Sequence, residues 1–156
     1  MTKRLYMLIL CLGLSAGVLV PARQALATLG EPAASVESDR KALSAGERAT
    51  SARAGYTVQE VVSDANSVRE YISPAGIVFA IAWNGLTHPD LAPLLGSYAG
   101  EYRQALRQTP RTPGRRSHQV KGNGVVVEKW GHMRNLQGRA YAPALIPSGV
   151  SVDEIK

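Results

Sequence analysis

Two short segments in the last third of the sequence hold the residues best suited to chemistry. They read WGHMR at 130–134 and GRAY at 138–141. Arginine presents a rigid fork of N–H donors that fits a carboxylate or phosphate group, and tryptophan and tyrosine provide rigid contact area. The glycine in each segment leaves room for a ligand or another backbone to approach. The pattern predicts a small binding site with these candidate residues: His132, Arg134, Arg139 and Tyr141.

A structural role explains the same two segments just as simply. Gly131 and Gly138 would form β-bulges in an ordinary antiparallel strand pair. Arg139 would then lie along the ring of Tyr141 with its charged end in solvent.

Trp83 is the fifth candidate for the binding site. It stands near the end of the apolar run ISPAGIVFAIAWNG at 72–85, which predicts a strand covered on both sides. This position predicts a ring body packed against the core and an edge near solvent, where the indole N–H finds a hydrogen-bond partner. A half-covered tryptophan of this kind fits the rim of a binding site and equally the margin of a core.

A basic segment occupies residues 107–121. It contains no acidic residue, and its central part, TPRTPGRR at 109–116, is typical of an exposed loop. Such a cluster can hold a phosphate, a sulfate or an anionic glycan, and the anion-binding candidates are Arg111, Arg115, Arg116 and Lys121. The alternative is a solvated loop whose charge improves solubility. Since no aromatic residue interleaves the segment for base stacking, we expect no nucleic-acid partner.

The sequence lacks the common motifs of catalysis and metal binding. Its three histidines, His88, His118 and His132, lie far apart, and there is no G-x-S-x-G segment, P-loop or dinucleotide fingerprint. We therefore expect no metal and no cofactor. Glu70 is the exception among the acids, because the predicted register places it beside Ala80 on an apolar face, where burial would raise its pKa and suit it to proton transfer. The alternative is a glutamate paired with a lysine, an arginine or a backbone N–H.

The first residues are typical of a secretory signal peptide. Lys3 and Arg4 precede an apolar run, and ALA at 25–27 provides the small residues that a signal peptidase recognises. The alternative is an uncleaved membrane anchor, but the run is shorter than the ~20 apolar residues of a membrane span. The sequence therefore predicts cleavage after Ala27 and a periplasmic or secreted product with no stable membrane span.

Cleavage at that site would leave residues 28–156, which suffice for one domain. The only cysteine, Cys11, lies in the segment removed, so the remaining chain has no disulfide and no thiolate site. The formal charge of +6 includes Lys3, Arg4 and Arg23, and the +3 left without them demands no acidic partner. The expected division is a signal peptide at 1–27, a tether at 28–34 and a single domain at 35–156, with a basic loop at 108–124.

Turn residues and apolar spacing predict an α+β fold. Turn chemistry at 63–66 and 74–76 separates β-type segments and indicates consecutive antiparallel hairpins. From Pro93 onward, apolar residues recur at helical spacing and predict one well-packed amphipathic helix. Residues 35–52 are rich in helix formers with a thin apolar stripe and predict a weaker N-terminal helix, with partial disorder as the alternative. The prediction is an antiparallel hairpin meander with these two helices, and a further strand pair at 125–130 and 133–141.

The turn positions also predict the strand register. The first turn places Glu60 opposite Arg69, which is an opposite-charge pair. The second turn places Tyr71 beside Phe79, which is an aromatic pair. Each such pair stabilises a sheet by roughly 0.2–1 kcal/mol. In this register Phe79 and Ile81 lie on the same face, under the helix.

Four segments of the chain resemble a known protein family. They are GYTVQE at 55–60, VREYISPAGIVFAIAWNG at 68–85, PDLAPLLGSY at 89–98 and GHMRNLQGRAYAPALIPSGVSVDEI at 131–155. The combination is similar to that of an uncharacterised family of exported bacterial proteins, domain-of-unknown-function family 2844. The resemblance implies a small single-domain exported protein of Gram-negative bacteria. It implies no activity, cofactor, partner or catalytic residue.

These features together predict a small exported binding or cell-envelope accessory protein without catalytic activity. Its expected partner is another envelope protein or an anionic polymer. One alternative is a metal-independent hydrolase or lyase that uses Glu70 or His132. Another is a binder of an anionic envelope polymer through the basic segment at 107–121. Catalytic groups should converge in one deep cleft, whereas a binding module should present a shallow apolar or basic patch.

Overall fold

A seven-stranded antiparallel sheet is the framework of the described part of the chain. The computed structural model describes residues 28–33, 47–110, 114 and 116–156, so the predicted signal peptide at 1–27 lies outside the described residues. The strands lie side by side in the order β1-β2-β3-β4-β7-β6-β5. Their bounds are β1 Glu47–Arg53, β2 Tyr56–Val62, β3 Asn66–Ile72, β4 Val78–Gly85, β5 Ser117–Lys121, β6 Val126–His132 and β7 Asn135–Tyr141.

The predicted fold class, a hairpin meander with a weaker N-terminal helix, is wrong. Glu47–Arg53, at the end of the predicted helix at 35–52, is strand β1 and pairs with β2 along its whole length. The earlier part of that prediction, 35–46, lies outside the described residues. Ala, Glu and Arg favour a helix by only roughly a few tenths of a kcal/mol per residue, and a neighbouring strand with open backbone groups outweighs this preference.

The meander also ends at β4. Because β4 pairs with β7, the chain leaves the sheet after β4, crosses one face and returns at the far edge as β5. The crossing segment contains helix α1 Leu91–Leu95, a 3-10 turn at Gly96–Tyr98 and helix α2 Ala99–Gln108. The helix predicted from Pro93 onward is therefore present. None of the described helices is long and apolar enough to cross a membrane.

Helix α1 begins where the sequence provides a cap. The Asp90 carboxylate accepts a hydrogen bond from the Ala92 N–H at 3.0 Å, and this satisfies one of the free donors of the first turn. The helix ends at Gly96, whose φ of 47° is in the left-handed region that favours glycine. Thr28 packs directly on Gly96, because a Cβ there would lie 1.6 Å from the Thr28 Cγ2.

Residues 28–33, which the sequence predicts to be a tether, pack into the fold. Leu29 is fully buried, and its N–H donates to the carbonyl of Leu94 at 3.1 Å. Gly30 donates to the carbonyl of Val78 at 2.8 Å, so the segment is bound to both helix α1 and strand β4. These residues therefore contribute to the core.

Two apolar clusters cover the two sides of the sheet. The helix face lies under α1 and α2, and its buried residues include Leu29, Ile81, Trp83, Leu95 and Tyr102. The tail face lies under the C-terminal segment 143–156, and its buried residues are Tyr56, Val58, Tyr71, Phe79, Ala80, Ala82 and Ile155. Strand β4 has a core on both sides, as its apolar sequence predicts, because no residue at 78–83 is more than 3% exposed.

The predicted register of the first hairpin is confirmed. Glu60 pairs with Arg69, and Val58 pairs with Tyr71. The carboxylate of Glu60 lies 3.2 Å from the Arg69 Nε, which is the expected cross-strand ion pair.

The predicted register of the second hairpin is confirmed at its turn, where Ile72 pairs with Val78, but it is wrong by one residue from Tyr71 onward. The ladder shifts beside Tyr71, which pairs with Ala80 instead of Phe79. A β-bulge of this kind sets two residues of one strand against one of the other. Phe79 consequently lies on the tail face together with Ala80, whereas Ile81 lies on the helix face as predicted.

Candidate binding surfaces

The sheet separates the residues of the predicted binding site. Trp83 pairs with Gly138 and lies on the helix face, whereas the neighbouring pair, Ala82 with Arg139, has its side chains on the other side. Tyr141 packs against the tail-face cluster. The candidates therefore do not converge on one site.

Trp83 is a core residue with one polar contact. Trp83 is only 3% exposed, so its ring is covered more fully than its position in the sequence predicts. The ring packs on Gly138, because a Cβ there would lie 2.3 Å from the Trp83 Cζ2. The indole N–H donates to the Nδ1 of His88 at 3.0 Å, so the predicted hydrogen-bond partner exists.

Arg139 connects the C-terminal segment to the sheet. Its Nε lies 2.5 Å from the Glu128 carboxylate, and its Nη1 donates to the main-chain oxygens of Val152 at 2.7 Å and Ile155 at 3.2 Å. The guanidinium also lies over the rings of Trp130 and Tyr141, at 5.8 and 5.9 Å from their centroids. With these contacts, the arginine positions the C-terminal segment.

The phenol of Tyr141 remains protonated beside Arg139. Burial raises its pKa, and the negative charge of Glu128 raises it further.

His132 and Arg134 lie in the β6–β7 hairpin and are exposed. Arg134 has a φ of 65°, in the left-handed region, as a tight turn requires. The His132 Nδ1 lies 3.4 Å from the carbonyl oxygen of Met133, its own neighbour in the hairpin.

The residues of the enzymatic alternative lie in different parts of the sheet. Glu70 is 1% exposed and pairs with Gln59 and Ile81, instead of with Ala80 as predicted, because of the bulge in β4. His132 lies in an exposed hairpin at the end of β6. The described residues contain no group of three or more His, Cys, Asp and Glu side chains that could hold a metal ion.

The predicted anion-binding residues are divided as well. Arg111 and Arg115 lie outside the described residues. Arg116 directly precedes strand β5, and Lys121 is the last residue of that strand. Both side chains are exposed, and they are separated by the length of the strand.

A groove on the tail face has a volume of about 750 Å³. Strands β1, β2 and β3 form its floor, where the small side chains of Ala49 and Ser51 leave space beside Val58. Charged residues surround this floor, and they are Arg53, Glu60, Arg69, Asp153, Glu154 and Lys156. The groove thus combines a floor of small and aromatic side chains with charges of both signs at its edge.

Two tyrosines join the floor of the groove to its C-terminal wall. The Tyr56 hydroxyl donates to the Glu154 carboxylate at 3.1 Å, and the Tyr71 hydroxyl donates to the main-chain oxygen of Lys156 at 2.8 Å. Burial raises the pKa of Tyr56, and the bond to Glu154 raises it further. At the other end, the hydrogen bond from the Ser67 hydroxyl is the main cause that lowers the pKa of Glu60.

The sequence patterns did not predict this groove, although they contain a signal for it. Tyr56, Val58 and Glu60 alternate along β2 and therefore share one face. The correctly predicted pairing brings Arg69 and Tyr71 beside them. The missing information is the position of the C-terminal wall, because nothing local in the sequence indicates where residues 153–156 pack.

A second recess, of about 320 Å³, lies beside the helix-face core, and we name it the basic recess. Its lining residues are His88, Arg116, Ser117, His118, Lys129, Trp130, Gly131 and Leu136. Of the predicted anion-binding residues, Arg116 takes part in it.

The fold defines a class, namely a small antiparallel-sheet protein with a helical crossover on one face and open recesses at its surface. The model of a protein family of unknown function, DUF2844, matches residues 25–155. The chain belongs to this family, as its sequence motifs predict. Comparison with curated proteins gave no match, and comparison with solved structures gave none either.

Proposed function

We propose that this protein is a small exported binding protein of the cell envelope, which is not itself a catalyst and holds a partner in the tail-face groove. The observation that carries the proposal is the groove itself, an open recess of about 750 Å³ bounded by three strands and the C-terminal segment. A polypeptide segment of another envelope protein fits this shape and chemistry. The backbone and small side chains of such a segment fit the floor of the groove. Its charged side chains can pair with the arginines and carboxylates on the rim.

The enzymatic alternative has less support from the geometry. Glu70 is enclosed in the core, and His132 lies in an exposed hairpin with its Nδ1 beside the carbonyl oxygen of Met133. General acid–base chemistry needs a group within hydrogen-bond reach of the reacting atom in a site that positions the substrate. Neither residue lines the groove.

Filling the floor of the groove is expected to abolish partner binding without unfolding the protein. Ser51 is exposed on the floor, so a tryptophan in its place occupies the space of the ligand while leaving the core intact. Thr50→Trp is the matched control, because Thr50 is the adjacent exposed residue of β1 and is not among the lining residues. The measurement is affinity capture from a periplasmic extract with quantitative mass spectrometry.

We expect one set of envelope proteins to be captured by the unmodified protein and by Thr50→Trp, and to be lost with Ser51→Trp. Equal capture by both variants would place the binding surface elsewhere. If no protein is enriched over a matrix without the bait, the proposed binding function is wrong.

Export is the second part of the proposal, and it rests on the signal-like sequence of residues 1–27. Thr28 is 8% exposed and Leu29 is fully buried, and a chain cleaved after Ala27 would keep both of these buried residues.

The mature protein is therefore expected to begin at Thr28 and to be recovered from the periplasmic fraction or the medium. Intact-mass spectrometry of the fractionated protein measures the new terminus directly. Recovery of the uncut chain from Met1 to Lys156 in the membrane fraction would contradict export by a cleaved signal.

A further inference from the structure

The basic recess brings together hydrogen-bond donors and the positive charges of Arg116 and Lys129, and none of its lining residues is acidic. Four of its lining residues carry basic side chains, namely His88, Arg116, His118 and Lys129. Elsewhere in the described chain, Arg69 and Arg139 each form an ion pair with a glutamate. None of the four basic residues of the recess forms an ion pair with a carboxylate among the described residues.

The cross-strand pairing brings two of these residues directly together. His118 on β5 lies opposite Lys129 on β6. An anion bound between the two side chains would accept hydrogen bonds from both of them.

The hydrogen bond from Trp83 fixes the tautomer of His88, which lines the recess. An indole N–H only donates, so the Nδ1 that it contacts at 3.0 Å must accept. The ring proton of His88 is therefore on Nε2. Burial lowers the pKa of His88 and the positive charge of Lys129 lowers it further, so the imidazole remains neutral and keeps this tautomer at neutral pH.

Lys129 is held in place without a neutralising partner. Its ammonium lies over the ring of Tyr102 on helix α2, 5.8 Å from the ring centroid. A cation–π contact of this kind positions the charge and leaves it available to an anion.

We propose that the basic recess is an anion-binding site for a phosphate or sulfate group. The donors come from separate elements, namely the segment before α1, the start of β5 and the strand β6. Several donors from different directions match the oxygens of a tetrahedral anion, whereas a planar carboxylate suits a single bidentate fork. This site is independent of the proposed partner groove, because it lies beside the helix-face core and the groove lies on the tail face.

Titration of the purified chain with inorganic phosphate or sulfate tests the site. In a Bis-Tris chloride buffer at constant ionic strength, ¹H–¹⁵N spectra should show saturable shifts at His118, Lys129 and the indole N–H of Trp83. Acetate is the planar comparator and is expected to bind more weakly. Constant ionic strength matters because added salt alone screens exposed charges.

Lys129→Gln is expected to weaken phosphate binding by about tenfold, because it removes one charge-assisted hydrogen bond from the site. Lys121→Gln is the matched control, since it removes the same charge from an exposed residue of β5 that does not line the recess. His118→Gln provides a second variant inside the recess in case Lys129→Gln is poorly folded.

Unchanged affinity in Lys121→Gln, together with weakened affinity in the recess variants, supports the site. Equal losses in Lys129→Gln and Lys121→Gln would mean that the anion senses only net charge, and the proposal would be wrong. Shifts that never saturate would overturn it as well. None of these outcomes depends on whether the tail-face groove holds a protein partner.

Discussion

Replacement of Phe79 with alanine is expected to lower the free energy of unfolding by about 3–5 kcal/mol. Phe79 is fully buried on the tail face, with its ring centroid 6.0 Å from that of Tyr56 and 6.2 Å from that of Tyr71. Truncation removes both edge-to-face contacts and leaves a cavity between strand β4 and the C-terminal segment. A loss of this size is a large part of the ~5–15 kcal/mol that stabilises a typical domain.

Chemical denaturation followed by circular dichroism measures this loss. Val62→Ala is the control, because Val62 is an apolar residue of β2 that is 40% exposed, and its truncation should change stability by less than about 0.5 kcal/mol. If Phe79→Ala unfolds at the same denaturant concentration as the unmodified protein, Phe79 is not in the tail-face core.

Replacement of Leu29 with alanine is expected to cost about 2–5 kcal/mol. This effect is large for a residue so close to the expected start of the mature protein, and it arises because Leu29 is fully buried in the helix-face cluster. The backbone of Leu29 is also fixed by a hydrogen bond to Leu94. The segment therefore has little freedom to shift into the space that truncation leaves.

Glu31→Ala is the control for Leu29→Ala, because Glu31 lies in the same segment with an exposed side chain. Thermal and urea unfolding of both variants measure the difference. Two variants with equal stability would show that residues 28–33 form a tether, as the sequence alone predicts.

Local chemistry explains which parts of the fold could be predicted. The turn between β2 and β3 is short, and once it is located the alternation of the strands leaves one favourable register, which pairs Glu60 with Arg69. The helix was predictable because apolar residues recur on one of its faces from Pro93 onward, whereas its actual start at Leu91, after the Asp90 cap, was not predicted.

The errors arise where distant parts of the chain decide the local structure. Strand β1 contains residues that favour a helix, and it is a strand only because β2 pairs with it. The bulge in β4 allows Phe79 and Ala80 to share a face, and an alternating pattern cannot reveal this. Because of this one-residue shift, Phe79 lies on the side of the sheet opposite to the predicted one.

The same distinction applies to the candidate sites. The residue types at 130–141 predicted donors for a ligand, but Arg139 uses its donors to hold the main chain at Val152 and Ile155. Whether a guanidinium binds a ligand or a neighbouring backbone depends on which segment folds over it. In the basic recess, Arg116 was predicted, whereas His88 joins it only through the tertiary contact with Trp83.

The attachment of the C-terminal segment has a consequence for the timing of folding. Tyr56 bonds to Glu154 and Tyr71 bonds to Lys156, contacts that span 98 and 85 residues of sequence. The tail-face core therefore lacks this part of its cover until residues 154–156 have been synthesised, and non-local contacts of this kind form late. Late closure of this face fits the export proposed above, because a chain that crosses a membrane unfolded must not complete its core before it has crossed.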